Sequence, residues 1–467
     1  MTARTVWEDL LSAALIGTDR RPSPGADGEP AAALLSAAAA EEVRRRAGRR
    51  PRRGEPLPPA APEERPLVPE AAITRLTAVL GGDRVRLLPE WLAAAAGRER
   101  RLPPYLLPAL LDHGVRDRSI REHLGVLAGR RGRWLAGLNP AWAYLAEAPG
   151  GGDGGAGERM WEFGSRGDRV RHLRELRETD PGAARDLLAS AWDRETPGDR
   201  AAFLDVLRSG LSPADEPFLE AALDDRRREV RHRAADLLTM LPGSRLARRM
   251  AARAARCLGR DGDGFAVNPP SACDPPMERD GIRAAAPGGS GRRGWWLQQV
   301  IARTPLGFWP GHLGLTAEEI TAAELGDWSR EVRVGWERAA VLQHDAAWAR
   351  ALFAREPLAD LLAVLPAEER AVRAAEVVRG HAVDGQLIML LGGVPGPWGP
   401  PLAKAVLNTI VETLAVQPWN VGELARMAAE RVDPALAGLV ADLSDDAVVQ
   451  NVAETLRFRD EMLKELQ

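Results

Sequence analysis

The stretch from Asp224 to Leu241 constrains the fold more than any other part of this chain. Its apolar or small positions are Val230, Ala234, Leu237, Leu238 and Leu241. Spacings of three and four residues place these side chains on one face of a helix, so the pattern predicts an amphipathic helix covered outside by arginines. Asp224 and Asp225 are typical of a helix start, and Pro242-Gly243 ends the pattern. Because such a helix cannot bury its apolar face alone, it needs partner helices.

The neighbouring sequence provides those partners. Between residues 158 and 258 the same kind of periodicity predicts six helices, at 169–178, 181–192, 197–209, 214–223, 226–241 and 244–258. Asp180-Pro181 and Thr196-Pro197 are start signals, since proline is tolerated in the first turn of a helix. Connections this short favour antiparallel packing of neighbouring helices.

The sequence pattern that begins one of these helices occurs a second time further along the chain. An acidic residue, then Glu-Val-Arg, then two alanines occur within Asp225–Leu238 and again within Asp327–Leu342. This repetition favours HEAT-like helix pairs, in which the alanines permit close helix approach and the arginine reaches the neighbouring turn. No stretch alternates apolar and polar residues over strand length. We therefore predict an all-α fold of stacked antiparallel helix pairs, a HEAT-like solenoid in two or more segments.

Changes in composition divide the chain into five parts. They are a short N-terminal helix with an Arg/Pro/Gly-rich linker (1–66), an N-terminal helical domain (67–149), HEAT-like repeats (158–258), an irregular loop (259–294) and a C-terminal helical domain (295–467). The segment 259–294 is rich in Gly, Pro and Asp and shows no apolar period. Since it is too long for an ordinary connection, we expect it to be either a functional loop or disordered.

Charge and cysteine content limit the possible partners and compartments. A net charge of −3 gives no general attraction to nucleic acid or to an anionic membrane. Cys257 and Cys273 make neither a disulfide framework nor a zinc site, although they could pair with each other. No signal peptide is recognisable in the first fifteen residues, and no window reaches the ~20 apolar residues of a membrane span. We expect a soluble, cytoplasmic protein.

The residues that usually carry catalysis do not form a recognisable constellation. Lys404 and Lys464 are the only lysines, and neither follows the glycine-rich loop of a nucleotide phosphate site. A literal G-x-G-x-x-G match at 152–157 follows no buried strand, so it is a false positive. His172 and His232 each lie in an arginine-rich helix start and are expected to be solvated. We predict no catalytic, cofactor-binding or metal-binding residues, and hence no enzyme.

Two clusters remain as candidate binding surfaces. The first is aromatic and contains Trp295, Trp296, Phe308 and Trp309. Such a cluster forms either part of the core or a groove for a protein partner. The second is basic and contains Arg44, Arg45, Arg46, Arg49 and Arg50. It is either a solvated helix end with its linker or a nucleic-acid patch, although no aromatic residues are interleaved to stack on bases.

Several short motifs together resemble an uncharacterised bacterial family of helical proteins. They are WEDLL at 7–11, ALIGTDRRP at 14–22, NPAW at 139–142, DEPFLE at 215–220 and LPGSRL at 241–246. Members of that family are encoded beside MoxR-type AAA+ ATPases, von Willebrand factor A-domain proteins and SWIM zinc-finger proteins. The resemblance covers nearly the whole chain and implies a class of partner. It implies no catalytic residues, because none is known for the family.

Three hypotheses of function follow. The first is a non-enzymatic helical scaffold or adaptor that binds protein partners, with an AAA+ ATPase system as the implied partner. The alternative is a nucleic-acid-associated helical repeat protein that uses the basic run and the arginines of Arg226–Arg233 to contact phosphates. The third is an enzyme with its site near the segment 260–294.

Overall fold

Helices form nearly all of the regular structure, as the sequence predicts. The structure is a computed structural model that describes residues 3–20, 29–47, 57–82, 84–145, 154–262, 264–288 and 291–467. Contacts divide the chain into two units, residues 1–62 and 63–467. Among the described helices, none is both long and apolar enough to cross a membrane.

The first unit is a pair of helices, α1 (Ala3–Ile16) and α2 (Pro30–Ala47). The two helices pack against each other, and Leu10 and Ala13 of α1 are buried.

The second unit begins with five helices that share one core. They are α3 (Glu70–Leu80), α4 (Leu88–Ala96), α5 (Leu107–Arg116), α6 (Arg121–Leu127) and α7 (Gly129–Leu138). Pro89 lies in the first turn of α4, where proline is tolerated. Trp91 and Leu110 are fully buried here, and two residues from the far end of the chain, Met462 and Leu466, complete the same cluster.

The next seven helices correspond to the region that the sequence marks as most regular. They are α8 (Gly154–Phe163), α9 (Arg166–Thr179), α10 (Pro181–Ala191), α11 (Pro197–Val206), α12 (Glu216–Ala222), α13 (Arg228–Thr239) and α14 (Arg245–Cys257). Both predicted start signals are confirmed, because Asp180 and Thr196 accept hydrogen bonds from first-turn N–H groups and a proline follows each.

A buried ion pair joins α9 to the chain before α12. Arg177 and Asp215 are each 1% exposed, and the Arg177 Nη2 lies 2.7 Å from Asp215 Oδ2. Arg177 also donates to the backbone carbonyls of Ser209 and Pro181 at 2.7 and 2.6 Å. Because both charged groups are buried, loss of either one would leave the other poorly compensated, with Arg185 at 4.0 Å as the remaining cation near Asp215.

The segment 259–294 is built into the fold. It contains an antiparallel hairpin of β1 (Leu258–Asp261) and β2 (Gly264–Val267), in which Leu258 pairs with Val267, followed by α15 (Pro275–Arg279). The expectation that the chain contains no strand is therefore wrong at this hairpin, whose strands are too short for an alternating pattern to be visible.

Buried side chains anchor this segment to the helices. Asp280 is 1% exposed and accepts hydrogen bonds from Arg249 and Arg253 of α14 at 2.7 and 2.5 Å. Gly281 has a φ of +82°, and a Cβ at that position would lie 2.6 Å from the Cβ of Ala235 on α13. Over its described residues, this segment is thus an ordered part of the core, so the disordered alternative does not apply to them.

Twelve further helices complete the second unit. They are α16 (Arg292–Arg303), α17 (Phe308–Leu313), α18 (Ala317–Ala322), α19 (Ser329–Gln343), α20 (Ala346–Phe353), α21 (Ala359–Val364), α22 (Ala367–Gly380), α23 (Gly385–Gly392), α24 (Pro400–Val416), α25 (Gly422–Arg431), α26 (Ala437–Ala441) and α27 (Ala447–Glu465). Short 3-10 segments lie at Val85–Leu87, Pro104–Leu106, Pro140–Leu145, Trp192–Arg194, Pro213–Asp215, Gly326–Trp328, Pro418–Asn420 and Pro434–Leu436. The helices from α8 onward share a second, larger core.

The last helix packs against the first helices of the second unit. Arg459 of α27 is 3% exposed, and its Nε donates to Glu90 of α4 at 2.7 Å. Arg75 of α3 donates to Glu465 at 2.6 Å. The beginning and the end of this unit are therefore in direct contact.

Candidate functional site: an arginine cavity

Helix α13 presents its arginines to a large open cavity. Burial of Val230, Ala234 and Leu238 fixes the rotation of this helix, so its charged face turns outward. The cavity has a volume of about 1000 Å³. Its lining residues are Pro197, Arg226, Arg227, Arg228, Glu229, His232, Arg233, Asp236, Arg283 and Arg338. We refer to this site as the arginine cavity.

The lining is strongly cationic. Six arginines face two carboxylates, those of Glu229 and Asp236. Arg233 lies 3.4 Å from Asp205, and Arg338 lies 3.4 Å from Asp236. The exposed side chains of Arg226, Arg227 and Arg228 form no hydrogen bond or ion pair with the residues that the structure describes. The cavity therefore offers three uncommitted guanidinium groups side by side.

Asp236 is held by a buried arginine behind the cavity wall. Arg303 of α16 is 6% exposed, and its Nη1 donates to Asp236 Oδ1 at 2.9 Å. Burial lowers the pKa of Arg303, and the Asp236 carboxylate acts in the opposite direction. Asp236 is thus shared between Arg303 and Arg338, which leaves it little capacity to neutralise the remaining arginines.

His232 lies in the wall of the cavity as a neutral imidazole. The sequence predicts a solvated side chain, and this prediction is wrong, because His232 is only 8% exposed. Its Nδ1 accepts a hydrogen bond from Arg283 Nε at 3.3 Å, which assigns the ring proton to Nε2. Burial, together with the charges of Arg283 and Arg303, lowers the pKa of His232 to about 4, although Asp236 acts to raise it.

The predicted aspartate cap of α13 is not formed. The residue before the helix is Arg227, and no side chain caps the first turn. Asp225 instead accepts from the Arg227 N–H at 2.7 Å and pairs with Arg200 at 2.7 Å. Asp224 pairs with Arg279 at 2.6 Å. The aspartates stabilise the turn and its neighbours, so the first-turn N–H groups of α13 are left without a side-chain partner.

The two helices that begin with the repeated motif share the burial of the paired alanines but not the contact of the arginine. Arg231 Nη1 donates to the carbonyl oxygens of Asp225 and Arg226 at 2.9 and 3.2 Å, in the turn that precedes its own helix. The paired alanines are fully buried in both helices, α13 and α19. Arg333, the counterpart of Arg231, makes no such contact among the described residues. The repeat character of the fold therefore stays a prediction.

The aromatic candidates belong to the large core. Trp309 is fully buried and packs edge-to-face on Trp336, with 5.9 Å between the ring centroids. Trp296 is 8% exposed, and its Nε1 donates to the Ala284 carbonyl at 3.0 Å. Trp295 and Phe308 are half-buried against the same core. Trp296 and Trp309 thus offer almost no surface to a partner, and core packing accounts for them.

The basic run near the N-terminus is partly engaged within its own unit. Arg44 pairs with Glu41 at 3.0 Å and Arg46 pairs with Glu42 at 2.9 Å. The Arg45 guanidinium lies 4.8 Å from the centroid of the Trp7 ring. Arg49 and Arg50 lie outside the described residues, as does the start of the 152–157 glycine match, whose described part belongs to α8.

Sequence reasoning identified only part of the arginine cavity. The arginines of Arg226–Arg233 were visible as a cluster, but Arg283 and Arg338 come from segments more than fifty residues away. The signal that could have pointed to them is the arginine content of the segment 259–294 and of the repeated motif. Over the described part of the chain, no group of three or more His, Cys, Asp or Glu residues could hold a metal ion.

Fold and site together define a mostly helical protein with a cationic cavity at the start of α13. The chain belongs to the family described as "Family of unknown function (DUF5691)", whose model matches residues 9–466. Neither the curated proteins nor the solved structures contain a match. This membership agrees with the sequence motifs, which resemble those of an uncharacterised family.

Proposed function

We propose that this protein is a non-enzymatic helical scaffold or adaptor, built from HEAT-like helix pairs, that binds protein partners through the arginine cavity. The observation that carries the proposal is the group of three exposed, unpaired arginines, Arg226, Arg227 and Arg228, at an open concave site. Guanidinium groups recognise carboxylates by paired, charge-assisted hydrogen bonds. A partner would therefore insert an acidic segment here.

The partner class comes from the family resemblance. An AAA+ ATPase of the MoxR type and an A-domain protein are the first partners to test, in the cytoplasm. Stacked helices support this proposal because helical arrays present extended surfaces to other proteins.

The test is a pull-down from nuclease-treated native extract, read by mass spectrometry. The bait is the wild-type chain or the double variant Arg227→Glu/Arg228→Glu. Glutamate at the start of a helix interacts favourably with the helix dipole, so α13 should stay folded while the cavity loses its positive charge. We expect the wild type to recover an AAA+ ATPase or A-domain protein and the variant to lose it.

The matched control is Arg174→Glu/Arg208→Glu, which makes the same change in net charge at two exposed arginines outside the cavity. This control should retain the partner. Recovery of no AAA+ or A-domain partner with the wild type, or equal recovery with all three baits, would contradict the proposal.

A nucleic acid is the second candidate partner, because the same three unpaired arginines could contact phosphates. Such binding weakens steeply with salt. Partners that disappear from the wild-type bait only on nuclease treatment would favour this alternative. An enzymatic site near residues 260–294 is the third candidate. The ion pairs of Asp280 with Arg249 and Arg253 give that segment a structural role instead.

A further inference from the structure

Hydrogen-bond donors dominate the polar surface of the arginine cavity, in which the acceptor side chains are the carboxylates of Glu229 and Asp236. Each guanidinium has five N–H groups and no acceptor. His232 contributes an Nε2–H, since its Nδ1 accepts from Arg283. The first turn of α13, which lacks a side-chain cap, adds backbone donors beside Arg227 and Arg228. A ligand for this site must therefore be rich in acceptor oxygens.

The lining also excludes a ligand with a large apolar body. Pro197 is its only apolar residue among those described, and none of these lining residues is a Phe, Tyr or Trp that could stack on a base. Sites for nucleosides and other drug-sized molecules are mostly apolar with a few polar groups, which is the opposite composition. A small, highly charged group fits the cavity better.

The excess positive charge of the lining favours a phosphate over a carboxylate as the ligand. Six arginines against two carboxylates leave an excess of four positive charges, and Asp236 is already shared by Arg303 and Arg338. A carboxylate supplies one negative charge and two oxygens. A phosphorylated side chain supplies about −1.5 to −2 charges and three acceptor oxygens, so it satisfies more of the donors from a single residue.

We infer that the arginine cavity recognises a phosphorylated serine or threonine side chain on the protein partner. This inference rests on the proposed scaffold function and specifies the chemistry of the segment that the partner inserts. The unpaired guanidiniums of Arg226, Arg227 and Arg228 contact the phosphate oxygens. The His232 Nε2–H is a further donor in the wall.

The test measures binding of labelled peptides to the purified full-length chain by fluorescence anisotropy. The probe is a glycine-serine peptide with two phosphoserines. Its comparators carry serine or glutamate at the same positions. We expect the phosphopeptide to bind at least about tenfold more tightly than the glutamate peptide, because each phosphate adds one or more charge-assisted hydrogen bonds.

Two double variants test whether the phosphopeptide binds in the arginine cavity. Arg227→Ala/Arg228→Ala should weaken phosphopeptide binding at least about tenfold, whereas Arg174→Ala/Arg208→Ala should not change it. Thermal unfolding of each variant shows whether the fold is retained. A second readout is the NMR signal of the His232 imidazole, which should shift when the phosphopeptide is added to wild type.

Several outcomes would overturn the inference. They are equal affinity for the glutamate peptide, unchanged binding in the folded Arg227→Ala/Arg228→Ala variant, and inorganic pyrophosphate or duplex DNA binding as tightly as the phosphopeptide. Pyrophosphate would indicate a free phosphate ligand, and DNA would favour the nucleic-acid alternative. If phosphatase treatment of the extract leaves partner capture intact, the scaffold proposal stands and the phosphate inference fails. If no partner is captured but the phosphopeptide binds, the scaffold proposal fails.

Discussion

Acidification should destabilise this protein through His232. The imidazole has a folded-state pKa of about 4, against 6.5 for a solvated histidine. Between these values the unfolded chain binds a proton at this site and the folded chain does not, so the free energy of unfolding decreases as the pH falls. Each pH unit in this window lowers the free energy of unfolding by about 1.4 kcal/mol. The complete titration of His232 therefore lowers the free energy of unfolding by about 3 kcal/mol, of which about 2 kcal/mol is lost between pH 7 and pH 5.

The assay is urea unfolding of wild type and His232→Asn at intervals from pH 7.5 to 4.5. Asparagine can still accept from Arg283 but does not titrate, so the variant should lose about 2 kcal/mol less than wild type between pH 7 and pH 5. The control His344→Asn changes an exposed histidine at a left-handed position that asparagine tolerates. It should behave as wild type. Identical pH dependence of wild type and His232→Asn would refute the reasoning.

Three further substitutions test the packing of the second unit. Arg177→Met should lower the free energy of unfolding by about 3–5 kcal/mol in a denaturant titration, because the buried Asp215 carboxylate loses its partner at 2.7 Å and is left with Arg185 at 4.0 Å. Gly281→Ala should cost about 1–3 kcal/mol, because a side chain is strained at this positive φ and collides with Ala235; thermal unfolding would detect it. Arg459→Met should cost about 1–3 kcal/mol, measured by denaturant unfolding, because the Ala429 and Val432 carbonyls and the partly exposed Glu90 carboxylate lose their donor.

Each of these substitutions has a control of the same type at an exposed position. Arg174→Met on α9, Gly288→Ala in open space and Arg457→Met on α27 should each change the stability by about 0.5 kcal/mol or less. If a buried-site variant is as stable as its control, the contact described for it is not formed in solution.

The helices could be predicted because their signals are local. The apolar spacing of 226–241 corresponds to α13, and the Asp-Pro and Thr-Pro pairs mark the starts of α10 and α11. Each of these signals depends on residues within one or two turns of a helix. The all-α class followed from the same periodicity.

The cavity and the buried polar groups could not be predicted because they depend on distant segments. His232 lies on the polar side of its helix, and Arg283, which donates a hydrogen bond to it, is 51 residues further along the chain. Asp280 is ordered by arginines on α14 that lie about thirty residues earlier in the chain. No local pattern encodes such a contact, so glycine- and proline-rich sequence gave a false indication of disorder.

The contact of α27 with α3 and α4 has a consequence for the nascent chain. Met462 and Leu466 belong to the same core as Trp91 and Leu110, yet more than three hundred residues separate α7 from them. At about 5–20 residues per second, the ribosome needs roughly 15–65 s to bridge that interval. During this time the apolar surface of α3–α7 lacks its final cover. We therefore expect chaperones to bind the nascent chain there, and this core to be completed only when synthesis of α27 is finished.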